Sequence, residues 1–221
     1  MSDLIDTTEM YLRTIFELEE EGVRPLRARI AERLEQSGPT VSETVARMER
    51  DGLLTVEGDR HLELTAHGRA IAEQVMRRHR LAECLLLEIL KVPLSEVHEE
   101  ACRWEHVMSE NVERRISLLL QGPTHSPFGN PIPGIAPYES IDSFVTLAEC
   151  VTADSSQMTI RRISEPIQHD QQQMADLEGS GVLPGVTVAV SIADGGIQCV
   201  GPLATIHINM EHAAHIFVDR V

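Results

Sequence analysis

A series of metal-binding residue types at helical spacing restricts the fold of this chain more than any other feature. The residues are His79, Glu83, His98, Cys102, Glu105 and His106. Steps of three, four and seven residues place side chains along one face of an α-helix. Burying such polar groups costs free energy unless an ion or a hydrogen-bonding partner compensates for them. We therefore expect helices that assemble around a metal site.

The composition is that of a folded protein. The chain has 221 residues, of which 42% are hydrophobic, so it can form one large domain or two to three small ones. No apolar run approaches the roughly 18 to 20 residues that span a bilayer. The acidic start, residues 1–6, predicts no signal peptide. Cys84, Cys102, Cys150 and Cys199 are scattered, which predicts reduced thiols and a cytoplasmic location.

The net charge of −16 argues against non-specific coating of DNA. Selective DNA binding requires only a locally basic surface. Six arginines lie within a short N-terminal region, namely Arg27, Arg29, Arg33, Arg47, Arg50 and Arg60. The charge distribution is therefore compatible with a selective DNA-binding surface.

The N-terminal region has the pattern of a winged helix-turn-helix. Residues Asp6–Glu9 have the form of a capping box, and the helix that follows ends at Gly22. A second helix is predicted over Leu26–Leu34, and a third from Pro39 to Gly52. The alternating runs Leu53–Val56 and His61–Leu64 flank a Gly-Asp turn and predict a hairpin. A recognition helix followed by a hairpin is typical of DNA-binding domains of this type, although a generic small α/β domain is the alternative.

Two further helices are predicted downstream, over residues 65–90 and 95–121, separated by Pro93 and with a break near Ser109. Their apolar surface exceeds what one helix pair can bury, which favours pairing between two subunits. Ser126–Gly134 is predicted to be an extended, semi-rigid, proline-rich linker. Short β-like runs then predict a small barrel; they are Phe144–Leu147, Met158–Ile163, Val186–Ile192, Ala204–Ile208 and His215–Val218.

The candidate metal site combines a thiol with imidazoles and carboxylates. His79 and Glu83 are four residues apart, as are His98 and Cys102. This mixture of soft and hard donors suits Fe²⁺, Co²⁺, Ni²⁺ or Zn²⁺ better than Ca²⁺ or Mg²⁺. Met10 could add a thioether from the first helix, which would link the metal to the N-terminal segment.

Two other functional classes are weaker alternatives. His98–Cys102 resembles the HExxH pattern of metal-dependent hydrolases, but Cys102 replaces the second histidine. No nucleophile elbow or glycine-rich phosphate loop is visible, so we do not expect an enzyme. A thiol redox sensor using Cys102 lacks a resolving cysteine nearby in the sequence.

Several stretches resemble the diphtheria toxin repressor family, and within it the iron-dependent regulator branch fits best. These stretches are Asp6–Ile15, Arg27–Leu34, Met48–Leu53, Ala101–Ser109 and Ser126–Gly134. The resemblance covers about residues 1–134. It implies an α+β fold with a winged helix-turn-helix over residues 1–73, a helical dimerisation and metal-binding domain over 74–140, and an SH3-like C-terminal domain over 141–221.

The resemblance also implies a function. Family members are homodimeric repressors that bind operator DNA of iron-acquisition genes when activated by Fe²⁺, with Co²⁺, Ni²⁺, Zn²⁺ and Mn²⁺ as substitutes. A manganese- or zinc-responsive repressor of the same family is the closest alternative. The sulfur atoms of Met10 and Cys102 argue against manganese, because soft ligands suit later metals.

The resemblance assigns residues to two metal sites and an anion pocket. The primary site would comprise Met10, Cys102, Glu105 and His106. The ancillary site would comprise His79, Glu83, His98, Asp170 and Gln173. The anion pocket would comprise Arg80, Ser126 and Asn130. Asp170 stands where the family has Glu, so its shorter side chain changes the reach towards the metal.

By resemblance, the DNA contacts would come from Arg27, Ala28, Ser37, Pro39, Thr40, Ser42, Glu43, Arg47, Arg50 and Arg60. Ser37 and Pro39 would touch thymine methyl groups, whereas the arginines and hydroxyls would hold phosphates. Glu43 departs from the family, which usually has Gln at this position. A carboxylate only accepts hydrogen bonds and repels phosphates, so we expect weaker operator binding or a shifted base preference.

Overall fold

The computed structural model describes residues 7–135, 144–152 and 155–219. Two hydrophobic cores organise them. One core lies in the N-terminal region and includes Tyr11, Leu12 and Val45. The other spans the central helices and the C-terminal sheet. Among the described residues, no helix combines the length and the apolar character that crossing a membrane requires.

The N-terminal region is a winged helix-turn-helix, as the sequence pattern predicts. Its elements are α1 (Thr7–Glu20), α2 (Arg27–Arg33), α3 (Gly38–Arg50), β1 (Leu54–Val56) and β2 (Leu62–Leu64). The two strands pair antiparallel, with Leu54 opposite Leu64. Asp6, the first residue of the predicted capping box, lies outside the described residues.

Helix α3 has one buried face and one exposed face. The Ser37 hydroxyl caps its start by accepting a hydrogen bond from the Thr40 backbone N–H, and a proline occupies its first turn. Val41, Val45 and Met48 recur at helical spacing and are fully buried in the core that α3 shares with α1. The remaining face of α3 is therefore free to meet another molecule.

The central region is built from α4 (Ala66–Cys84), a π-helical turn (Leu85–Ile89), α5 (Leu94–Trp104) and α6 (Glu110–Leu119). The predicted break at Ser109 is confirmed, because its hydroxyl accepts a hydrogen bond from the Val112 N–H and caps α6. Gly68 allows α4 to cross the hairpin closely, since a Cβ there would lie 1.9 Å from the Leu53 carbonyl oxygen.

The prediction of an extended proline-rich linker over Ser126–Gly134 is wrong. This segment folds back on itself through a bridge between His125 and Pro131, and Gly129 adopts a φ of 79° that favours glycine. Phe128 and Ile132 are fully buried. The segment is therefore part of the core, because its apolar side chains fill the space between the helices and the C-terminal sheet.

The C-terminal region is a small antiparallel sheet with short helices, in agreement with the α+β class and the predicted SH3-like unit. Its strands are β3 (Phe144–Thr146), β4 (Ser156–Ile163), β5 (Thr187–Ala193), β6 (Gly196–Val200), β7 (Thr205–Asn209) and β8 (Ile216–Asp219), in the spatial order β3-β8-β4-β5-β6-β7. Its helices are α7 (Leu147–Cys150), α8 (Glu165–Gln168), α9 (Gln171–Ser180) and α10 (Met210–Ala213). Sequence reasoning missed β6 and all four of these helices.

A register shift in β4 between Ile160 and Arg162 allows this strand to pair with β5 in its first half and with β8 in its second half. Helix α9 packs against α5 of the central region. This packing places the N-terminal end of α9 beside the metal-binding residue types.

Candidate metal centre and DNA-binding surface

Helices α4 and α5 bring four of the predicted ligands together. His79 and Glu83 lie one turn apart on α4, and the His79 Nε2 is 2.8 Å from the Glu83 Oε1. The same nitrogen is 3.2 Å from the His98 Nδ1 of α5. The donor atoms of His79, His98 and Cys102 all lie within 4.8 Å of one another. The helical spacing of these residues therefore brings their donor atoms together at one place between α4 and α5.

The structure joins residues that the resemblance divides between two sites. The His79 Nδ1 is 2.6 Å from the Glu105 Oε2, and the Cys102 Sγ is 3.6 Å from the His98 Nε2. His79 and His98 are assigned to the ancillary site, whereas Cys102 and Glu105 are assigned to the primary site. All of these residues form one connected cluster in the structure.

His106 lies on the α1 side of this cluster, and Met10 lies on α1 itself. The His106 Nε2 is 3.0 Å from the Glu105 Oε1, and its Nδ1 is 2.6 Å from the Glu9 Oε2 of α1. Met10 is half-buried, and its carbonyl accepts a hydrogen bond from the Thr14 hydroxyl. His106 therefore connects the end of the α5 region to the helix that carries Met10.

Arg13 is a member of the cluster that sequence reasoning missed. Its Nη1 donates to both carboxylate oxygens of Glu105 at 2.8 Å and to the Cys102 Sγ at 3.3 Å. Arg13 lies three residues after Met10 on α1, so helical spacing could have indicated that both face the same neighbour. The Arg13 guanidinium lies between the Cys102 thiol and the Glu105 carboxyl, two groups that can lose a proton and become anionic. A metal ion would also be attracted to a position between these two groups.

Burial and charge act in opposite directions on the thiol and the carboxylate. Burial raises the pKa of Cys102, but the Arg13 and His98 charges outweigh it and hold the pKa well below its usual range. Burial likewise raises the pKa of Glu105, and Arg13 and His79 more than reverse the effect. Both groups are therefore anionic, which is the state that metal binding requires of a thiol or a carboxyl group.

The imidazoles take up protons in the metal-free protein. Burial lowers the pKa of His98, but the Cys102 thiolate outweighs this effect, and the pKa rises from 6.5 to about 9. Burial also lowers the pKa of His106, and hydrogen bonds to Glu105 and Glu9 raise it to about 9. Cations on these rings balance the buried anions.

The donor set fits a divalent transition metal. Sulfur, imidazole nitrogen and carboxylate oxygen together suit Fe²⁺, Co²⁺, Ni²⁺ or Zn²⁺. The Glu83 Oε2 is buried and has no hydrogen-bond partner among the described residues. A buried carboxylate oxygen without a partner is costly, and coordination of a cation would compensate for it.

The two predicted C-terminal ligands contact another residue in this structure. Asp170 caps α9 by accepting a hydrogen bond from the Gln173 N–H at 2.9 Å. The His212 ring is 3.6 Å from Asp170 and 3.0 Å from the Gln173 Oε1. His169, which precedes them and was not selected from the sequence, has its Nε2 3.3 Å from the His98 Nε2.

The predicted anion pocket contains a buried ion-pair network. Arg80 is fully buried, and its guanidinium pairs with Glu20 of α1 at 2.5 Å and with Glu165 of α8 at 2.7 Å. The Asn130 amide donates to the Ile163 carbonyl at 2.9 Å. Ser126 accepts from the backbone of its own turn. Anion binding at Arg80 would thus compete with two carboxylates, and it stays a prediction.

The predicted DNA-binding residues lie on α2, on α3 with its capping residue, and in the hairpin turn. Arg27 is half-buried at the start of α2. Arg60 lies in the hairpin turn at a φ of 71°. The exposed residues are Ala28, Ser37, Pro39, Thr40, Ser42, Glu43, Arg47, Arg50 and Arg60. Exposure of these side chains along α3 and the hairpin turn is the arrangement that entry into a DNA groove requires.

Comparison with known proteins decides the family. Residues 3–62 match the model of the iron dependent repressor N-terminal DNA binding domain. Residues 65–134 match the model of the iron dependent repressor metal binding and dimerisation domain. The chain belongs to the iron-dependent repressor family. This membership confirms the resemblance seen in the sequence.

Relatives of this repressor are similar along most of their length. The iron-dependent repressor IdeR of Mycobacterium tuberculosis is 57% identical over 203 residues, which cover 89% of this chain and 88% of that protein. The diphtheria toxin repressor of Corynebacterium efficiens is 51% identical over 223 residues, covering 98% of this chain and 97% of that protein.

Solved structures support the same fold assignment. The crystal structure of T. acidophilum IdeR aligns with a TM-score of 0.75 at 25% identity, covering 96% of this chain and 97% of that one. A manganese-dependent transcriptional repressor in complex with manganese aligns with a TM-score of 0.81 at 28% identity, covering 97% of this chain and 100% of that one. Family members are transcriptional repressors, a non-enzymatic class, so the hydrolase alternative is excluded.

Proposed function

We propose that this iron-dependent repressor is a homodimer that binds operator DNA of iron-acquisition genes when Fe²⁺ occupies its ligand cluster. The observation that carries the proposal is the direct connection between donor residues and α1. Cys102 and Glu105 contact Arg13, while His106 contacts Glu9. Because its proposed partner is operator DNA, we expect the protein in the cytoplasm.

The ligand roles are part of this proposal. Met10, Cys102, Glu105 and His106 would hold the activating ion. His79, Glu83 and His98 would hold a second ion with help from the C-terminal domain, where Asp170 and Gln173 are the expected donors. The buried position of Glu83 and the anionic state of Cys102 support these assignments.

A bound divalent cation supplies positive charge that neutralises Cys102 and Glu105. Arg13 then no longer has to balance both anions, so the position of α1 depends on whether the cluster is occupied. Tyr11 and Ile15 of α1 share a core with Val41 and Val45 of α3. Through this core, the ligand cluster controls where α3 meets DNA.

The metal can change DNA affinity only through different affinities for the two conformations of the protein. A coupling free energy of about 1–3 kcal/mol, corresponding to roughly 5–150-fold, is typical of such linkage. We expect metal-dependent DNA retention of this order.

The DNA contacts follow from the exposed residues of α2, α3 and the hairpin turn. Arg47, Arg50 and Arg60 would hold phosphates, as would the hydroxyls of α3. Ser37 and Pro39, at the start of α3, would meet base edges in the major groove. Glu43 would face the same groove, and it prefers a cytosine amino group.

The dimer is proposed to form through the central helices. Val107, Leu118 and Leu119 are apolar and more than half exposed in the single chain. Exposed apolar patches of this kind mark association surfaces. We further propose the three-domain division 1–73, 74–140 and 141–221, in which α4 runs continuously across the first boundary.

The decisive experiment is operator retardation with a series of divalent metals under anaerobic, reducing conditions. Met10→Ala and Cys102→Ala should each abolish metal-dependent retardation without unfolding the metal-free chain. Met210→Ala and Cys150→Ala are matched controls outside the cluster. Unchanged retardation in either cluster variant, or equal binding after EDTA treatment, would contradict the proposal.

A repressor that responds to manganese or zinc is the second candidate. The structural similarity to a manganese-dependent repressor supports this second candidate. The thiolate of Cys102 favours iron, cobalt, nickel or zinc over manganese. The metal series separates these cases, because the activating ion is the one that gives retardation at the lowest free concentration.

A further inference from the structure

The turn between β1 and β2 is attached to the connection between α1 and α2. In this connection Leu26 forms an antiparallel bridge with His61, which follows the turn. Arg24 lies two residues before Leu26 and forms an ion pair with Asp59 of the turn. Neither the sequence pattern nor the family resemblance gives Arg24 a role. The ion pair therefore joins an unassigned arginine to the part of the hairpin that carries a predicted DNA contact.

The Asp59 carboxylate has several partners on this surface. One oxygen pairs with the Arg24 guanidinium. The other oxygen contacts the His61 ring and accepts a hydrogen bond from the His61 backbone N–H at 3.3 Å. The Arg24 guanidinium is also 3.4 Å from the His61 Nδ1. The side chains of Arg24 and Asp59 are 60% and 44% exposed, so their pairing adds little to the stability of the fold and its value lies in what it does to the turn.

Arg60, which follows Asp59, has a backbone conformation that glycine favours. Its φ is 71°, and its N–H donates to the Glu57 carbonyl at 2.8 Å. Short hairpins usually place glycine or asparagine at such a position. A strained conformation persists where surrounding contacts hold it, and an arginine retained there indicates that its side chain is used. The Asp59 contacts hold the turn on one side, and the hydrogen bond of 2.9 Å from the Leu62 N–H to the Pro25 carbonyl holds it on the other.

The charge of the turn depends on Arg24. Residues 57–60 include two acidic side chains, Glu57 and Asp59, and one basic side chain, Arg60, so their net charge is −1. DNA phosphates repel a surface of that sign. The Arg24 guanidinium brings the net charge of this surface to zero. With the Asp59 charge neutralised, Arg60 can approach a phosphate without a competing repulsion beside it.

We propose that Arg24 is a positioning residue for DNA binding by the hairpin turn. It neutralises Asp59 and holds the turn against the α1–α2 connection, so that Arg60 meets a phosphate. The proposal rests on the proposed operator binding and adds a residue to it. Arg24 acts through Asp59 and does not contact the phosphate itself, because its guanidinium already pairs with that carboxylate.

The first test measures how firmly the turn is held in the metal-free full chain without DNA. Amide hydrogen exchange, followed by NMR, reports the Arg60 and Leu62 N–H groups. Arg24→Ala should make both exchange about twofold to fivefold faster, the scale expected for an exposed ion pair. The matched control is Arg161→Ala, because Arg161 pairs with Asp219 at similar exposures of 50% and 39%. Equal exchange of these two amides in the variant and the control would overturn the attachment.

The second test measures DNA affinity of the Co²⁺-loaded full chain for a duplex that the unaltered chain selects from a random-sequence library. Arg24→Ala should weaken binding about fivefold, the effect of one unpaired charge about 4 Å from a phosphate in water. Arg161→Ala should bind as the unaltered chain does. In a chain that already carries Asp59→Asn, the same Arg24→Ala change should have no effect, since there is no carboxylate left to neutralise.

Two outcomes of this second test would overturn the proposal. One is equal affinity of Arg24→Ala and Arg161→Ala. The other is a loss of affinity that persists when Asp59→Asn is present. If the slope of log affinity against log salt concentration then also falls in magnitude by about 0.9, Arg24 contacts a phosphate directly.

The two tests also separate this proposal from the proposed function. Faster exchange in Arg24→Ala, in a chain that selects no duplex with any divalent metal, would contradict the proposed function alone. Metal-dependent DNA binding with equal affinity in Arg24→Ala and Arg161→Ala would contradict only the role of Arg24.

Discussion

Removal of the Arg80 charge should destabilise the protein strongly. Its side chain is 0% exposed and pairs with Glu20 and Glu165, whose side chains are only 17% and 4% exposed. The Pro131 carbonyl accepts a further hydrogen bond from the guanidinium at 2.6 Å. The network joins α1, α4 and α8, and so connects the N-terminal, central and C-terminal regions.

Arg80→Met keeps much of the apolar stem and removes the charge. It leaves the buried Glu165 and the half-buried Glu20 without the cation that pairs with both of them directly. Breaking a buried ion pair by removing one partner costs about 3–5 kcal/mol. We therefore expect the free energy of unfolding to fall by about this amount at neutral pH.

The matched control is Arg161→Met. Arg161 pairs with Asp219, and these side chains are 50% and 39% exposed. Exposed pairs contribute about 0–1 kcal/mol, so this variant should lose no more than that. Both variants replace an arginine with the same residue, which isolates the effect of burial.

The assay is urea unfolding of the metal-free chain, followed by circular dichroism at one protein concentration and extrapolated to zero denaturant. A loss in Arg80→Met no larger than in Arg161→Met would refute the argument. Burial raises the pKa of Glu165, but Arg80 holds it below its ordinary value of 4.5. A lowered carboxyl pKa gives stability that is present above 4.5 and is lost as the pH falls, so the difference from the unaltered chain should shrink in acid.

Three further predictions concern DNA, protons and assembly. Glu43→Gln should strengthen operator binding or shift base preference near that position, and a mobility-shift assay with unchanged affinity and preference would contradict this. The pKa values of His98 and His106 rise from 6.5 to about 9 in the metal-free chain. Their charged rings therefore stabilise the fold fully below pH 6.5, and this stabilisation is lost as the pH rises through 9. Metal must displace these protons, so its affinity by calorimetry should increase from pH 6.5 towards 9, and a flat profile would count against it. Leu118→Glu, at a position 73% exposed in the single chain, should lower the dimer fraction in analytical ultracentrifugation, whereas an unchanged distribution would move the interface elsewhere.

The order of the helices and the winged hairpin could be predicted from the sequence because local patterns determine them. Apolar spacing in α3, the cap at Ser109 and the turn between β1 and β2 each depend on a few neighbouring residues. The ligand types on α4 and α5 could be found in the same way, since helical spacing aligns them.

Local patterns were insufficient in the C-terminal region. Strand β6 and the four helices of this region were missed; α7, α8 and α10 have only four residues each, and α9 has few apolar residues to give a helical period. The proline-rich segment was predicted to be extended because its composition favours that state in isolation. Burial of Phe128 and Ile132 between two regions outweighs this preference.

The sequence by itself determined which residues can bind metal and which helix faces they occupy, because both follow from chemistry and spacing along one helix. Only the tertiary structure decided which of these residues meet. Arg13 joins Cys102, and His169 joins His98, across separations of 89 and 71 residues in the chain. Such contacts result from the packing of whole helices, which the residues between them determine collectively, so no short-range pattern contains them.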